Sequence, residues 1–117
     1  MDTEKAIEAG GAAEPTDDPI LRSYQAALQA AYGDALDRIV LFGSRARGEA
    51  TNESDYDVAV FLKSLPDRWA VFDDLADLRT RFLLDTGAFF DAFPYPSAAY
   101  AEHTPLMQQI RRDGLTL

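Results

Sequence analysis

The feature that most constrains this chain is a pair of short apolar segments joined by a polar loop. Residues 38–42 form a β-branched, apolar run that ends abruptly at Gly43–Ser44, and this pattern predicts a buried strand. After ten further residues, Asp55 and Asp57 flank a tyrosine at the start of a second predicted strand, Tyr56–Leu62. Because alternate residues of a strand point to the same side, both carboxylates lie on one face.

The residue types at these positions suit phosphate and metal chemistry. A glycine at the end of a strand lets the backbone approach a phosphate without interference from a Cβ atom, and Ser44 adds a hydroxyl and N–H groups at the start of a helical turn. Asp55 and Asp57 repel each other at close range unless a cation lies between them. Taken alone, a Gly-Ser pair indicates only a turn, and two alternating acids indicate only an exposed strand. Their combination predicts a phosphate-binding turn beside a divalent-metal site.

Capping residues and apolar spacing define the other elements. An Asp-Pro and a Thr-Pro pair each place a polar cap before a proline at the first helical position, which is a helix-start signal. A third helix follows from amphipathic spacing, and an aromatic-rich run predicts a third strand. These elements are a helix from Asp18–Pro19 to Gly33, a helix between Pro66 and Gly87, a strand from Ala88 to Tyr95, and a helix from Thr104–Pro105 through Arg112. The order predicts an α/β (α+β) fold, a small mixed sheet with helices packed on one face.

The length of 117 residues is typical of one domain with one hydrophobic core. Residues 1–17 are acidic, rich in Ala and Gly, and without periodicity, so we expect a flexible N-terminal tail. A single folded domain is then expected over residues 18–117. Trp69 and the phenylalanines between residues 72 and 93 recur at positions that predict packing in its core.

Composition excludes several classes of function. The absence of cysteine excludes disulfides, thiolate zinc sites and a cysteine nucleophile. No signal-like segment starts the chain, and no apolar run approaches the roughly 20 residues of a membrane span, so we expect a cytoplasmic protein without membrane contact. Twenty acidic against eleven basic residues give a formal net charge of -9, which disfavours direct binding of nucleic acid. An anionic substrate then needs a metal ion or nearby arginines; Arg45 and Arg47 either fill that role or point into solvent.

The extended pattern GSRARG at Gly43–Gly48, with SDYDV at Ser54–Val58, resembles the minimal nucleotidyltransferase (MNT) family of the DNA polymerase beta-like nucleotidyltransferase superfamily. The resemblance extends over residues 38–117 and more loosely over the first helix. It implies the fold of that superfamily and the transfer of a nucleoside monophosphate from a nucleoside triphosphate to a hydroxyl. The resemblance also implies that ATP is the nucleotide donor and that two Mg²⁺ ions are the cofactors.

The resemblance also implies a role for each site residue. Asp55 and Asp57 would hold both metal ions. Asp91 would complete the site of the ion that activates the acceptor hydroxyl, and would accept the proton. Family members carry this third acid on the strand after the covering helix; that strand is usually aliphatic, whereas aromatic residues surround Asp91 here. The implied nucleotide-binding residues are Gly43, Ser44, Arg45 and Arg47.

Stand-alone members of the family are typically antitoxins whose partners are HEPN toxins, and they can add AMP to a tyrosine of the toxin. We therefore interpret the chain as a protein adenylyltransferase with a HEPN-type partner, and the resemblance allows a hetero-oligomer with that partner. Two alternatives stay open. One is transfer to a small-molecule hydroxyl, as in aminoglycoside-modifying enzymes, which we expect to need a further helical domain. The other is a catalytically inactive antitoxin that neutralises its partner by binding alone.

Overall fold

Polar residues set where each helix begins. In the computed structural model, which describes residues 18–51 and 55–117, one carboxylate oxygen of Asp18 accepts hydrogen bonds from the N–H groups of Ile20 and Leu21. Asp67 and Thr104 cap the other two helices through single bonds of the same kind. The helices are α1 (Pro19–Tyr32), α2 (Arg68–Thr86) and α3 (Pro105–Asp113). The three predicted helices are thereby confirmed, while the tail predicted over residues 1–17 lies outside the described residues.

The described strands form one mixed sheet. They are β1 (Leu36–Phe42), β2 (Tyr56–Leu62), β3 (Phe90–Pro96) and β4 (Leu115–Thr116), in the spatial order β3-β2-β1-β4. β1 is antiparallel to both β2 and β4, whereas β2 and β3 are parallel. The bounds of β2 are those predicted from the sequence, and the mixed α+β sheet is confirmed.

Strand β4 is not predicted by the sequence pattern, because it depends on a close tertiary contact. A Cβ atom on Gly114 would lie 2.3 Å from the carbonyl oxygen of Ile110 and 2.5 Å from Cγ1 of Val40, so only glycine lets the end of α3 lie against β1. The next residues then pair with β1, and the N–H group of Leu117 donates to the carbonyl oxygen of Ile39 at 2.9 Å.

Helices pack on both faces of the sheet, which corrects the expectation that they share one face. α1 and α2 cover the face to which Val58 of β2 belongs. α3 packs through Met107 and Ile110 in a separate cluster with Phe61. Because Val58 and Phe61 are an odd number of residues apart on one strand, these clusters lie on opposite faces. Asp57 shares its face with Phe61, so α3 lies on the side of the sheet that carries the acids.

The prediction of an aromatic core is right for Phe90 and wrong for Trp69. Phe90 is 1% exposed at the centre of the larger cluster, whereas Trp69 is 75% exposed in the first turn of α2. The buried face of α2 is formed by Leu75 and Leu78, and Trp69 lies away from it. In the part of the chain that the structure describes, no helix combines the length and apolar character needed to span a bilayer.

Candidate active site

A tight turn at the end of β1 brings backbone against a carboxylate. Gly43 has a φ of 76°, a conformation that favours glycine, and the N–H groups of Arg47 and Glu49 then donate to the carbonyl oxygens of Gly43 and Ser44 at 3.2 and 2.9 Å. Ser44 therefore begins a helical turn, as predicted. A Cβ atom on Gly43 would lie 2.3 Å from Oδ2 of Asp57. The glycine is thus required both by its backbone angle and by the carboxylate packed against it.

Strand pairing places Asp57 beside Asp91. β2 and β3 run parallel with these two residues directly opposite each other, and neighbouring strands lie about 4.8 Å apart. Both acids belong to the face of the sheet on which α3 packs. Asp55 lies two residues before Asp57 and is exposed, immediately before the first residue of β2. The structure therefore brings Asp57 and Asp91 together on one sheet face, and Asp55 is near enough for its charge to act on Asp57.

The electrostatics of Asp57 reflect this crowding. Burial raises the pKa of the Asp57 carboxyl above its ordinary value, and the negative charges of Asp91 and Asp55 raise that pKa further. Arg47 acts in the opposite direction. Holding these carboxylates together is electrostatically unfavourable. A bound cation or a nearby basic residue would reduce the repulsion between them.

A cavity of about 590 Å³ opens beside these groups. Gly43, Ser44 and Arg47 line it from the turn, and Asp57 and Asp91 line it from the strands. Five of the seven residues predicted to form the site thus border one space. A larger groove of about 730 Å³ between α1 and α2 contains no residue of the motif, so its chemistry gives no reason to prefer it.

The other residues that line the cavity were not identified as site residues from the sequence. They are Phe42, Phe93, Tyr95, Leu106 and Gln109. Leu106 and Gln109 are three apart on α3, next to the buried Met107 and Ile110. Amphipathic spacing alone could have indicated that they border the buried stripe, but not that this stripe packs on the acid-bearing face.

The two arginines of the motif lie in different places. Arg47 lines the cavity and its Nε donates to Glu49 at 3.0 Å. The guanidinium of Arg45 instead lies 3.9 Å from the ring centroid of Tyr56, and its Nη2 donates to the carbonyl oxygen of Thr51 at 3.4 Å. Neither Arg45 nor Asp55 lines the cavity.

The donor set suits a metal shared with a substrate. Within residues 18–51 and 55–117, no three His, Cys, Asp or Glu side chains are gathered into a ready-made metal cluster. Mg²⁺, however, usually binds one or two carboxylates together with substrate phosphates instead of an all-protein cage. Asp57 and Asp91 fit that mode as hard oxygen donors beside one cavity.

Two relatives share sequence with this chain. One is "Putative protein adenylyltransferase MJ0141" of Methanocaldococcus jannaschii, 40% identical over 47 residues, which are 40% of this chain and 48% of the relative. The other is "Putative protein adenylyltransferase MJ0604" of the same organism. It is 35% identical over 72 residues, which are 62% of this chain and 66% of the relative. The chain therefore matches about half to two thirds of the length of these curated relatives.

Solved structures share the fold. A toxin–antitoxin structure with AMP-PNP is 24% identical, with a TM-score of 0.55 over 80% of this chain and 69% of the other. The structure of "a putative nucleotidyltransferase from Sulfolobus solfataricus" is 19% identical, with a TM-score of 0.53 over 92% of this chain and 90% of the other. The family model described as polymerase beta, nucleotidyltransferase matches residues 28–92, more than half of the chain, including the turn and all three acids. The chain belongs to the polymerase beta nucleotidyltransferase family.

Proposed function

We propose that this protein transfers AMP from ATP to a tyrosine hydroxyl of a HEPN-type toxin and serves as the cytoplasmic antitoxin of that pair. Family membership supports nucleotidyl transfer, and the designation of its relatives supports a protein acceptor. The fold shared with toxin–antitoxin structures, one of them with AMP-PNP, supports the partner and the donor. The observation that carries the proposal is the packing of Gly43 directly against Asp57, in one cavity with Asp91.

The turn is suited to hold the triphosphate. The protein carries a formal charge of -9, so a polyanion binds only where positive charge and hydrogen-bond donors are concentrated. Arg47 supplies charge at the cavity, the Ser44 hydroxyl supplies a donor, and Gly43 leaves room for phosphate oxygens next to the backbone. Arg47 is therefore the arginine that contacts the triphosphate in this proposal.

The acids are suited to the transfer itself. Asp55, Asp57 and Asp91 are the residues that would hold two Mg²⁺ ions, which supply neutralisation of phosphate charge when bound. Asp91 lies at the cavity and accepts the proton of the tyrosine hydroxyl. The tyrosine oxygen forms a bond to the α-phosphorus while the bond from that phosphorus to the β-phosphate oxygen breaks, and pyrophosphate leaves.

The test is a transfer reaction with the protein encoded by the neighbouring gene, ATP and magnesium. We expect mass spectrometry to find one or more AMP groups on a partner tyrosine. Asp91→Asn should transfer none, because the proton acceptor is lost. Asp85→Asn, which changes an exposed acid at the end of α2, should transfer at the parental rate.

The other outcomes separate the alternatives. A partner that is bound and inhibited without gaining mass would support an antitoxin that acts by binding alone. Labelling of an aminoglycoside in the absence of any partner would support a small-molecule nucleotidyltransferase. Either result would contradict transfer to a toxin tyrosine.

A further inference from the structure

A column of stacked side chains lies beneath the candidate active site. The Tyr56 ring stacks on Phe90 with centroids 4.4 Å apart, and Phe90 stacks on Tyr24 of α1 at 3.9 Å with nearly parallel planes. The Arg45 guanidinium lies 3.9 Å from the Tyr56 ring centroid. We call these four residues, Arg45, Tyr56, Phe90 and Tyr24, the stacked column. It joins the turn, β2, β3 and α1.

The stacked column lies on the opposite sheet face from the acids, yet it is built from their immediate neighbours. Tyr56 stands between Asp55 and Asp57, and Phe90 immediately precedes Asp91. Because side chains alternate along a strand, each acid points to one face while its neighbour joins the column on the other. Stacking of Tyr56 on Phe90 therefore fixes β2 against β3 at the positions where Asp57 and Asp91 must stay aligned.

A hydrogen bond anchors the column to the start of α1. The Tyr56 hydroxyl donates to Oδ2 of Asp18 at 2.5 Å, while Oδ1 of Asp18 accepts from the N–H groups of Ile20 and Leu21. One carboxylate thus both caps the helix and holds the tyrosine. The ring on which Arg45 rests is therefore fixed at its hydroxyl as well as by Phe90.

The same contact fixes the turn. Arg45 is two residues beyond Gly43, and its guanidinium both lies over Tyr56 and bonds the carbonyl oxygen of Thr51, which spans the loop. To reach the cavity, Arg45 would have to leave the ring and move to the other side of the sheet. Arg47, in contrast, already lines the cavity near Asp57.

We propose that Arg45 is a positioning residue, which fastens the Gly43–Ser44 turn to the Tyr56 ring and so holds the turn in place against Asp57. Arg47 is then the arginine that contacts the nucleotide. This division of roles rests on the proposed nucleotide transfer at this site. A guanidinium stacked on an aromatic ring is well suited to such a fastening, because its planar shape matches the ring face.

The test compares Arg45→Ala with Arg47→Ala, and uses Arg22→Ala, an exposed arginine of α1, as the matched loss of charge. Hydrogen exchange of amides 43–51 reports turn order without any acceptor or nucleotide. We expect exchange about tenfold faster in Arg45→Ala and unchanged in the other two. The transfer rate at saturating ATP should fall on the order of 10- to 100-fold in Arg45→Ala, since small misplacements have effects of that size.

In calorimetry with ATP and magnesium, we expect Arg47→Ala to have the larger effect of the two substitutions. Arg47→Ala should weaken ATP binding by about tenfold or more, whereas Arg45→Ala should change it by less than about threefold. In a Tyr56→Leu background, adding Arg45→Ala should produce no further increase in exchange, because the ring that it rests on is gone. Tyr56→Phe, which keeps the ring, should preserve the effect of Arg45→Ala.

Two results would overturn the proposal. One is a loss of ATP affinity in Arg45→Ala equal to that in Arg47→Ala, with exchange of the turn unchanged, which would make Arg45 a phosphate ligand. The other is an effect of Arg45→Ala on exchange that persists in full after Tyr56→Leu. If the parent protein transfers no AMP, the proposed function fails, while the exchange measurements still decide the role of Arg45.

Discussion

The two faces of β2 differ sharply at consecutive residues. On one face Tyr56 is 4% exposed, bonded to Asp18 and stacked between neighbours in the larger core cluster. On the other, Asp57 borders an open cavity and is held near two further negative charges. An unfavourable grouping of acids can thus be held in place by packing on the reverse side of the same strands. The free energy of unfolding and the rate of nucleotide transfer should therefore respond to different substitutions.

The largest expected effect is the loss of activity in Asp57→Asn. The substitution removes a charge that the phosphates and their metal need, so the transfer rate should fall on the order of 1,000-fold or more. The free energy of unfolding, measured with EDTA present, should stay the same or rise, because repulsion from Asp91 and Asp55 is relieved. Urea unfolding and transfer assays on the same preparation check both. A marked loss of stability would show that this face also supports the fold.

A smaller effect is expected from Gly43→Ala. Its Cβ atom would lie 2.3 Å from Oδ2 of Asp57, so the carboxylate must move, and the transfer rate should fall by about 100-fold. Gly48→Ala is the matched control, since Gly48 has almost the same φ, 75° against 76°, but no described residue beyond its chain neighbours has an atom within 4 Å of the added group. Both variants should lose about 1 to 2 kcal/mol of stability from backbone strain. Equal activity losses in the two would show that strain, not displacement of Asp57, matters.

The smallest effects distinguish two hydroxyls of the stacked column. The buried Tyr24 hydroxyl hydrogen-bonds to no described residue, whereas the Tyr56 hydroxyl bonds Asp18. Tyr24→Phe should leave the free energy of unfolding unchanged or raise it by up to about 1 kcal/mol, and Tyr56→Phe should lower it by about 1 to 3 kcal/mol. Thermal and urea unfolding check the pair. A larger loss in Tyr24→Phe than in Tyr56→Phe would contradict the bonding pattern described above.

Much of the fold could be predicted from the sequence because its signals are local. The helix starts at Asp18 and Thr104 depend on a side chain bonding backbone two or three residues away. The two-faced character of β2 depends on the alternation of neighbouring residues, and the placement of Gly43 and Ser44 at the end of β1 depends on an apolar run that stops. The resemblance to a known family then supplied the expectation that Asp91 joins the other acids.

The remaining features were decided by contacts between residues far apart in the chain. Parallel pairing of β3 with β2 sets Asp91 opposite Asp57. The path of the chain after β3 then places α3 on the sheet face that carries these acids. Arg45 and Arg47 lie in different places because Arg45 covers the ring of Tyr56, a residue of β2, while Arg47 lines the cavity. Capping and alternation act between neighbours and can be read in order along the chain. The choice of a sheet face and the direction of a long side chain depend on packing partners that only the folded chain brings together.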